Sequence, residues 1–126
     1  MKQIFTTDKA PRPKGPYSQA VLHNGLIYVS GMGPVDAQTG RIIRGTIEEE
    51  TKAALENVKI ILEHAGSGMK HVLKVSCFLS DMNDFERFNN VYKNYFSSEP
   101  PARTTIQAGR LPMDIKVEID CIAAME

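Results

Sequence analysis

The sequence predicts an α+β domain, with a mostly antiparallel, mixed β-sheet and two helices on one face. Strand-like runs and two amphipathic helical patterns alternate along the chain in the order β, β-hairpin, α, β, α, β, β. Two helices cover only one face of such a sheet, so the other face is left open. A length of 126 residues suits a single domain covering 1–126.

The predicted strands are rich in β-branched and apolar residues and are bounded by glycine, proline and asparagine. They cover residues 2–6, 20–23, 26–30, 72–79, 103–108 and 115–123. Asn24-Gly25 separates the second strand from the third, which is typical of a two-residue hairpin turn. The proline-rich segment 10–16 is expected to be an ordered loop, and a small ribbon is expected within 35–44.

Both helices carry capping signals. The first is expected to begin after Thr46, which forms a capping-box pair with Glu49. The second is expected to begin near Asn83, with Glu86 as its capping partner, and to continue until residues 97–100 stop it. Its apolar stripe is aromatic, which indicates core packing.

The composition excludes several function classes. Lysine plus arginine and aspartate plus glutamate balance at 15 each, which argues against a broad nucleic-acid surface. No apolar run approaches the roughly 20 residues of a membrane span, and the N-terminus lacks a signal-peptide core, so a cytoplasmic protein is expected. Cys77 and Cys121 are expected to be reduced core thiols, and no cysteine or histidine spacing indicates a metal.

Three side chains in the predicted strands and loops are candidates for chemistry. Arg103 and Glu118, taken to lie on neighbouring strands, form either a cross-strand ion pair or a carboxylate receptor beside a general base. Tyr17 follows the proline-rich loop, where its ring either packs or closes a cleft. The residue pattern alone leaves these alternatives open.

Short motifs spread over the whole chain resemble the YjgF/RidA family, in the same order and without a large insertion. They are Gly15-Pro16-Tyr17-Ser18-Gln19, Val29-Ser30-Gly31, Pro101-Ala102-Arg103, Leu111-Pro112 and Val117-Glu118-Ile119. The resemblance implies a homotrimer of chorismate-mutase-like subunits with clefts between subunits. It also implies hydrolytic deamination of reactive 2-imino acids, such as 2-iminobutanoate and 2-iminopropanoate, to 2-oxo acids and ammonia, without a cofactor or metal.

The resemblance also implies roles for the candidate residues. Arg103 would bind the substrate carboxylate, Glu118 would orient or deprotonate the attacking water, and Tyr17 would shape the pocket. Backbone at Ser30, Gly31 and Thr105 would contact the carboxylate or the imine nitrogen, and Asn89 would border the cleft, completing the set of expected site residues.

Two positions depart from the family pattern. Thr105 stands where many bacterial members have cysteine, and Met32 replaces the glutamine of a Ser-Gly-Gln motif. Met32 is expected to make the pocket rim less polar. Two other functions stay open at this point: a small-carboxylate-binding regulatory protein without turnover, and a translation inhibitor or endoribonuclease.

Overall fold

A computed structural model, which describes residues 1–125, contains one six-stranded sheet with strand order β1-β2-β3-β6-β4-β5. The helices are α1, Ile47–His64, and α2, Phe85–Tyr92. The strands are β1 Gln3–Phe5, β2 Ala20–His23, β3 Leu26–Met32, β4 Val72–Leu79, β5 Ala102–Gln107 and β6 Val117–Ala124. All paired strands are antiparallel except β4 and β5, which α2 connects in parallel. The predicted mixed α+β sheet is confirmed.

The N-terminal half follows the sequence signals closely. Asn24 and Gly25 have φ values of 50° and 77°, as a two-residue hairpin turn of the primed type requires. The small ribbon is a single bridge between Val35 and Ile42. Thr46 and Glu49 form the predicted capping box, each side chain accepting a hydrogen bond from the other residue's backbone N–H.

The start of α2 differs from the prediction. No capping box forms between Asn83 and Glu86; instead, the Asp81 carboxylate accepts a hydrogen bond from the backbone N–H of Asn83. This interaction orders a 3-10 turn, Met82–Asp84, and the α-helix begins only at Phe85. The competing aspartate two residues upstream therefore sets the helix start.

The end of α2 also comes earlier than expected. Regular helix stops at Tyr92, and the chain continues in tighter turns, with Tyr95 donating its backbone N–H to the carbonyl of Tyr92. Phe96 is nevertheless buried, and its ring centroid lies 4.7 Å from that of Tyr92. The aromatic residues that pack into the core therefore lie partly on the α-helix and partly on the tighter turns after it. The spacing of apolar residues does not distinguish these two conformations.

The last strand begins two residues later than predicted, because Pro112–Asp114 form a 3-10 turn. Lys116, which directly precedes β6, contacts α1. Its backbone N–H and its ammonium group donate to the buried Glu50 carboxylate, at 2.9 and 3.2 Å. Glu50 therefore fixes the entry into β6.

Both helices pack on the same face of the sheet, where alternate residues of β3, β4 and β6 form the core. Cys77 and Cys121 are buried there as free thiols, as predicted. The opposite face has no covering layer; Tyr28 and Ile106 are 41% and 47% exposed on it. Within residues 1–125, neither helix has the length and hydropathy to cross a membrane.

Candidate functional site

The Glu118 carboxylate lies in a cavity of about 110 Å³ beside the open face of the sheet. Tyr17 and Gly31 border both this cavity and a shallower depression next to it, which Ser30 also lines. The remaining wall is mostly apolar: Pro11, Met32, Gly33, Val35, Pro112, Met113 and Ile115, with Arg12 and Lys14 at the edge. The predicted residues Glu118, Tyr17 and Gly31 are therefore neighbours.

Gly31 gives the carboxylate its position. A Cβ atom added there would lie 2.5 Å from Oε2 and 2.8 Å from Cδ of Glu118, which real Cβ atoms essentially never do. The neighbouring Ser30 has less to offer a ligand, since its hydroxyl donates to the carbonyl of Ser18 and its N–H to that of Gln19. Only a glycine at position 31 leaves room for the observed Glu118 conformation.

The environment of Glu118 raises the pKa of its carboxyl group. Loss of hydration on burial raises the pKa of its carboxyl above the ordinary value, and the nearby negative charge of Asp120 raises this pKa further. No hydrogen bond or ion pair joins the carboxylate to any residue in the described part of the chain. A half-buried, unpartnered carboxylate with a raised pKa is suited to hold a water molecule and to accept its proton.

Arg103 lies in a second cluster, against α2. Its guanidinium lies 4.6 Å from the Tyr92 ring centroid and within 5.7 Å of the Phe85 and Phe88 centroids. One N–H group donates to the Asn89 side-chain oxygen at 2.8 Å. The rings hold the planar group by cation–π contact, and within residues 1–125 no other hydrogen bond of the guanidinium is present, so its remaining N–H groups are available to bind a carboxylate in a bidentate manner.

Two hydroxyl groups near Arg103 have no nitrogen or oxygen hydrogen-bond partner among the described residues. They belong to Thr105 and Tyr92, and both oxygen atoms are buried. The one partner of the Thr105 hydroxyl is the Cys77 thiol, a weak hydrogen-bonding group. Buried polar groups are normally hydrogen-bonded, so unpaired ones indicate a ligand, a water or a second chain. The structure thus places the predicted Arg103, Asn89 and Thr105 together, and adds Tyr92 to them.

The two clusters are separate within one copy of the chain, which corrects the view that Arg103 and Glu118 lie on neighbouring strands. Strand β4 lies between them; Arg103 pairs with Val75, whereas Glu118 pairs with Phe78. Two strand spacings and a three-residue offset put their Cα atoms about 14 Å apart. Arg103 points to the helix face and Glu118 to the open face, which excludes an ion pair between them.

Sequence reasoning missed the buried amides that hold the cavity walls. Gln19 bonds to the backbone of Thr7, Ala10 and Pro11, which fixes the proline-rich loop. Asn57 on α1 donates to two carbonyl oxygens of the segment that follows β3. For Asn57 the available signal was its position inside the apolar stripe of α1, whereas Gln19 precedes β2 and carried no periodic signal.

Metal and thiol chemistry find little support in the described residues. Within 1–125, no group of three or more histidine, cysteine, aspartate or glutamate side chains is placed to hold a metal ion. Burial raises the pKa of both the Cys77 and the Cys121 thiol to about 12, so neither is a thiolate at neutral pH. The expected independence of cofactors stays a prediction.

The mixed sheet, the two helices on one side and the open opposite face define a chorismate-mutase-like α+β protein. Residues 7–125 match the family model described as Endoribonuclease L-PSP. The chain belongs to this family, whose members carry the names RutC, YjgF and reactive intermediate deaminase.

Individual relatives cover nearly the full chain. A RutC family protein of Pyrococcus abyssi is 46% identical over 125 residues, covering 99% of this chain and 98% of its own. A 2-iminobutanoate/2-iminopropanoate deaminase of Bos taurus is 45% identical over 123 residues, covering 98% and 90%. The crystal structure of a putative endoribonuclease of Thermotoga maritima superposes with a TM-score of 0.96 at 46% identity, covering 100% and 99%.

Proposed function

We propose that this protein hydrolyses reactive 2-imino acids, such as 2-iminobutanoate and 2-iminopropanoate, to 2-oxo acids and ammonia without a cofactor. One observation carries the proposal: a half-buried carboxylate, Glu118, lies unpartnered in a cavity and has a raised pKa. An exposed structural carboxylate would show neither feature. The names of relatives such as the Bos taurus deaminase support the same reaction.

The chemistry needs orientation and one base. An Arg103 guanidinium would bind the substrate carboxylate, and Glu118 would take a proton from a water molecule that attacks the electrophilic iminium carbon. A C–O bond forms, the C=N bond becomes a C–N single bond, and a carbinolamine results. Glu118 then returns the proton to nitrogen. The C–N bond breaks as ammonia leaves, the C=O bond forms as the hydroxyl O–H bond breaks, and Glu118 takes the hydroxyl proton and passes it to the departing ammonia.

This mechanism requires a second copy of the chain, because one copy holds Arg103 and Glu118 on opposite faces of its sheet. We therefore propose a homotrimer with a site in each cleft between copies. The uncovered sheet face and the free outer edge of β5 are suited to such an association. The small imino and 2-oxo acids are the proposed partners, and the cytoplasmic location stays a prediction.

A direct assay would generate 2-iminobutanoate with a threonine dehydratase and follow the appearance of 2-oxobutanoate. We expect the protein to accelerate this step and Glu118→Gln to lower the rate by about 10²–10⁴-fold, the usual contribution of a general base. Glu63→Gln, an exposed change on α1, is the matched control and should keep the wild-type rate. If the protein accelerates the hydrolysis of none of several imino acids, the proposed deaminase activity is refuted.

A binding protein without turnover remains the main alternative for the same site. Such a protein needs Arg103 to hold a carboxylate but has no use for a base. If Glu118→Gln binds 2-oxobutanoate as tightly as the wild type and no imine is hydrolysed by either, the binding function is correct.

Endoribonuclease activity is the second candidate, because the matching family model carries that description. The balanced charge of the chain disfavours it, since RNA binding draws on clustered cations. Purified protein should therefore leave single-stranded RNA intact. Cleavage that co-purifies with the protein and disappears in Glu118→Gln would favour the nuclease.

A further inference from the structure

A basic cavity adjoins the Glu118 pocket on the same copy of the chain. It has a volume of about 490 Å³ and shares Pro11, Arg12, Lys14 and Val35 with that pocket. The two spaces are therefore neighbours that share part of one wall, and the arginine and the lysine belong to both linings. A ligand beside Glu118 is thus within reach of both cations.

The charge of this cavity is strongly biased. Lys9, Arg12 and Lys14 line it, and Asp8 is the one acidic side chain among the lining residues. Asp36 is also negatively charged, but it is not among the lining residues, and its carboxylate accepts hydrogen bonds from the backbone N–H groups of Gln38 and Thr39 at 2.8 and 3.1 Å inside its own loop. The excess of cations in a chain that is neutral overall favours an anionic occupant.

Lys14 links the basic cavity to the reaction pocket. Its ammonium group donates to the carbonyl of Gly40 at 3.0 Å, which ties together two of the loops that line the cavity. Its backbone N–H donates to the Tyr17 hydroxyl at 3.4 Å. The backbone of Lys14 therefore lies beside the tyrosine that borders the Glu118 pocket, while its ammonium group is held at Gly40 in the larger cavity.

We propose that Lys9, Arg12 and Lys14 form a subsite for a second anionic group, so that the enzyme accepts 2-imino dicarboxylic acids. The reaction itself rests on the proposed function, and the preference for dicarboxylic substrates rests on this cavity. Arg103 of another copy would take the first carboxylate, which leaves the basic residues for the second. The mostly apolar 110 Å³ pocket would then enclose only the carbon chain between them.

The test compares two imines at one site. 2-Iminoglutarate and 2-iminobutanoate are generated in situ by amino acid oxidases, and imine loss is measured by trapping with semicarbazide. The variant Arg12→Gln/Lys14→Gln removes both charges, and its glutamine at 14 can still donate to Gly40. Lys70→Gln, an exposed lysine on another surface, is the control.

We expect the ratio of kcat/KM for 2-iminoglutarate to kcat/KM for 2-iminobutanoate to fall about tenfold in the double variant. Raising the salt concentration should also reduce the preference of the wild type for 2-iminoglutarate over 2-iminobutanoate, because dissolved ions screen the exposed charges. Equal losses on both imines, or no loss on either, would overturn the subsite while leaving the deaminase intact.

Binding of the products separates this inference from the proposed function. Calorimetry with 2-oxoglutarate and 2-oxobutanoate requires no turnover. If no imine is hydrolysed but the double variant binds 2-oxoglutarate about tenfold more weakly than the wild type, the deaminase fails and the subsite stands. If 2-oxoglutarate binds both proteins equally, the subsite is wrong.

Discussion

The contact between Gly31 and Glu118 offers a change that separates activity from stability. Gly31→Ala would place a Cβ atom 2.5 Å from Oε2 of Glu118, so the carboxylate must move by about 1 Å to reach an ordinary contact. A displacement of this size at a reacting group costs on the order of 10²-fold in rate. Gly31 does not have a left-handed φ, so alanine fits the backbone.

Stability should change little in this variant. Alanine reduces the conformational entropy of the unfolded chain, which stabilises by about 0.4–1 kcal/mol and offsets the cost of moving a flexible side chain. We expect a free energy of unfolding within about 1 kcal/mol of the wild type, measured by denaturant titration.

The assay for this variant is the 2-iminobutanoate assay described above. Gly109→Ala is the matched control, because a Cβ there meets no atom within 4 Å and its φ is not left-handed. The control should keep wild-type activity and stability. A Gly31→Ala protein with full activity would refute the claim that the observed carboxylate position is the reactive one.

Three further changes test separate parts of the site. Asp120→Asn removes a charge that raises the pKa of Glu118, so the acid limb of the pH profile of kcat/KM should move to lower pH. Arg103→Lys keeps the charge but loses the planar fork, and should weaken 2-oxobutanoate binding by at least about tenfold in calorimetry. Asn57→Ala removes two hydrogen bonds to the cavity wall and should lower the free energy of unfolding by about 1–3 kcal/mol. An unchanged acid limb, unchanged binding or unchanged unfolding would contradict the respective role.

The sequence predicted those elements whose signals are local. The Asn24-Gly25 turn and the Thr46 capping box formed as expected, because the residues that specify them are adjacent or three positions apart. The predicted ends of α2 were wrong. At the start, the Asp81 side chain accepts a hydrogen bond from the backbone N–H of Asn83, and at the end, the buried aromatic residues continue beyond the last helical residue. Local competition of this kind is not visible in periodicity.

The candidate site was predictable as a set of residues but not as an arrangement. The motifs identified Arg103 and Glu118, yet strand order decides whether two strands are neighbours, and β6 follows β5 along the chain while pairing with β3 and β4. Residues such as Tyr92 and Asn57 carry no motif of their own. Their roles come from long-range contacts, which only the folded chain defines.

Hybrid oligomers test the central claim that each site draws Arg103 from one copy and Glu118 from another. Arg103→Ala and Glu118→Gln subunits, each expected to be inactive alone, are co-expressed in equal amounts, and mixed composition is verified by native mass spectrometry. If two copies share each site, random mixing leaves about one quarter of the clefts with both wild-type residues, so about one quarter of the wild-type imine hydrolysis should return. Verified hybrids that remain inactive would contradict the shared site.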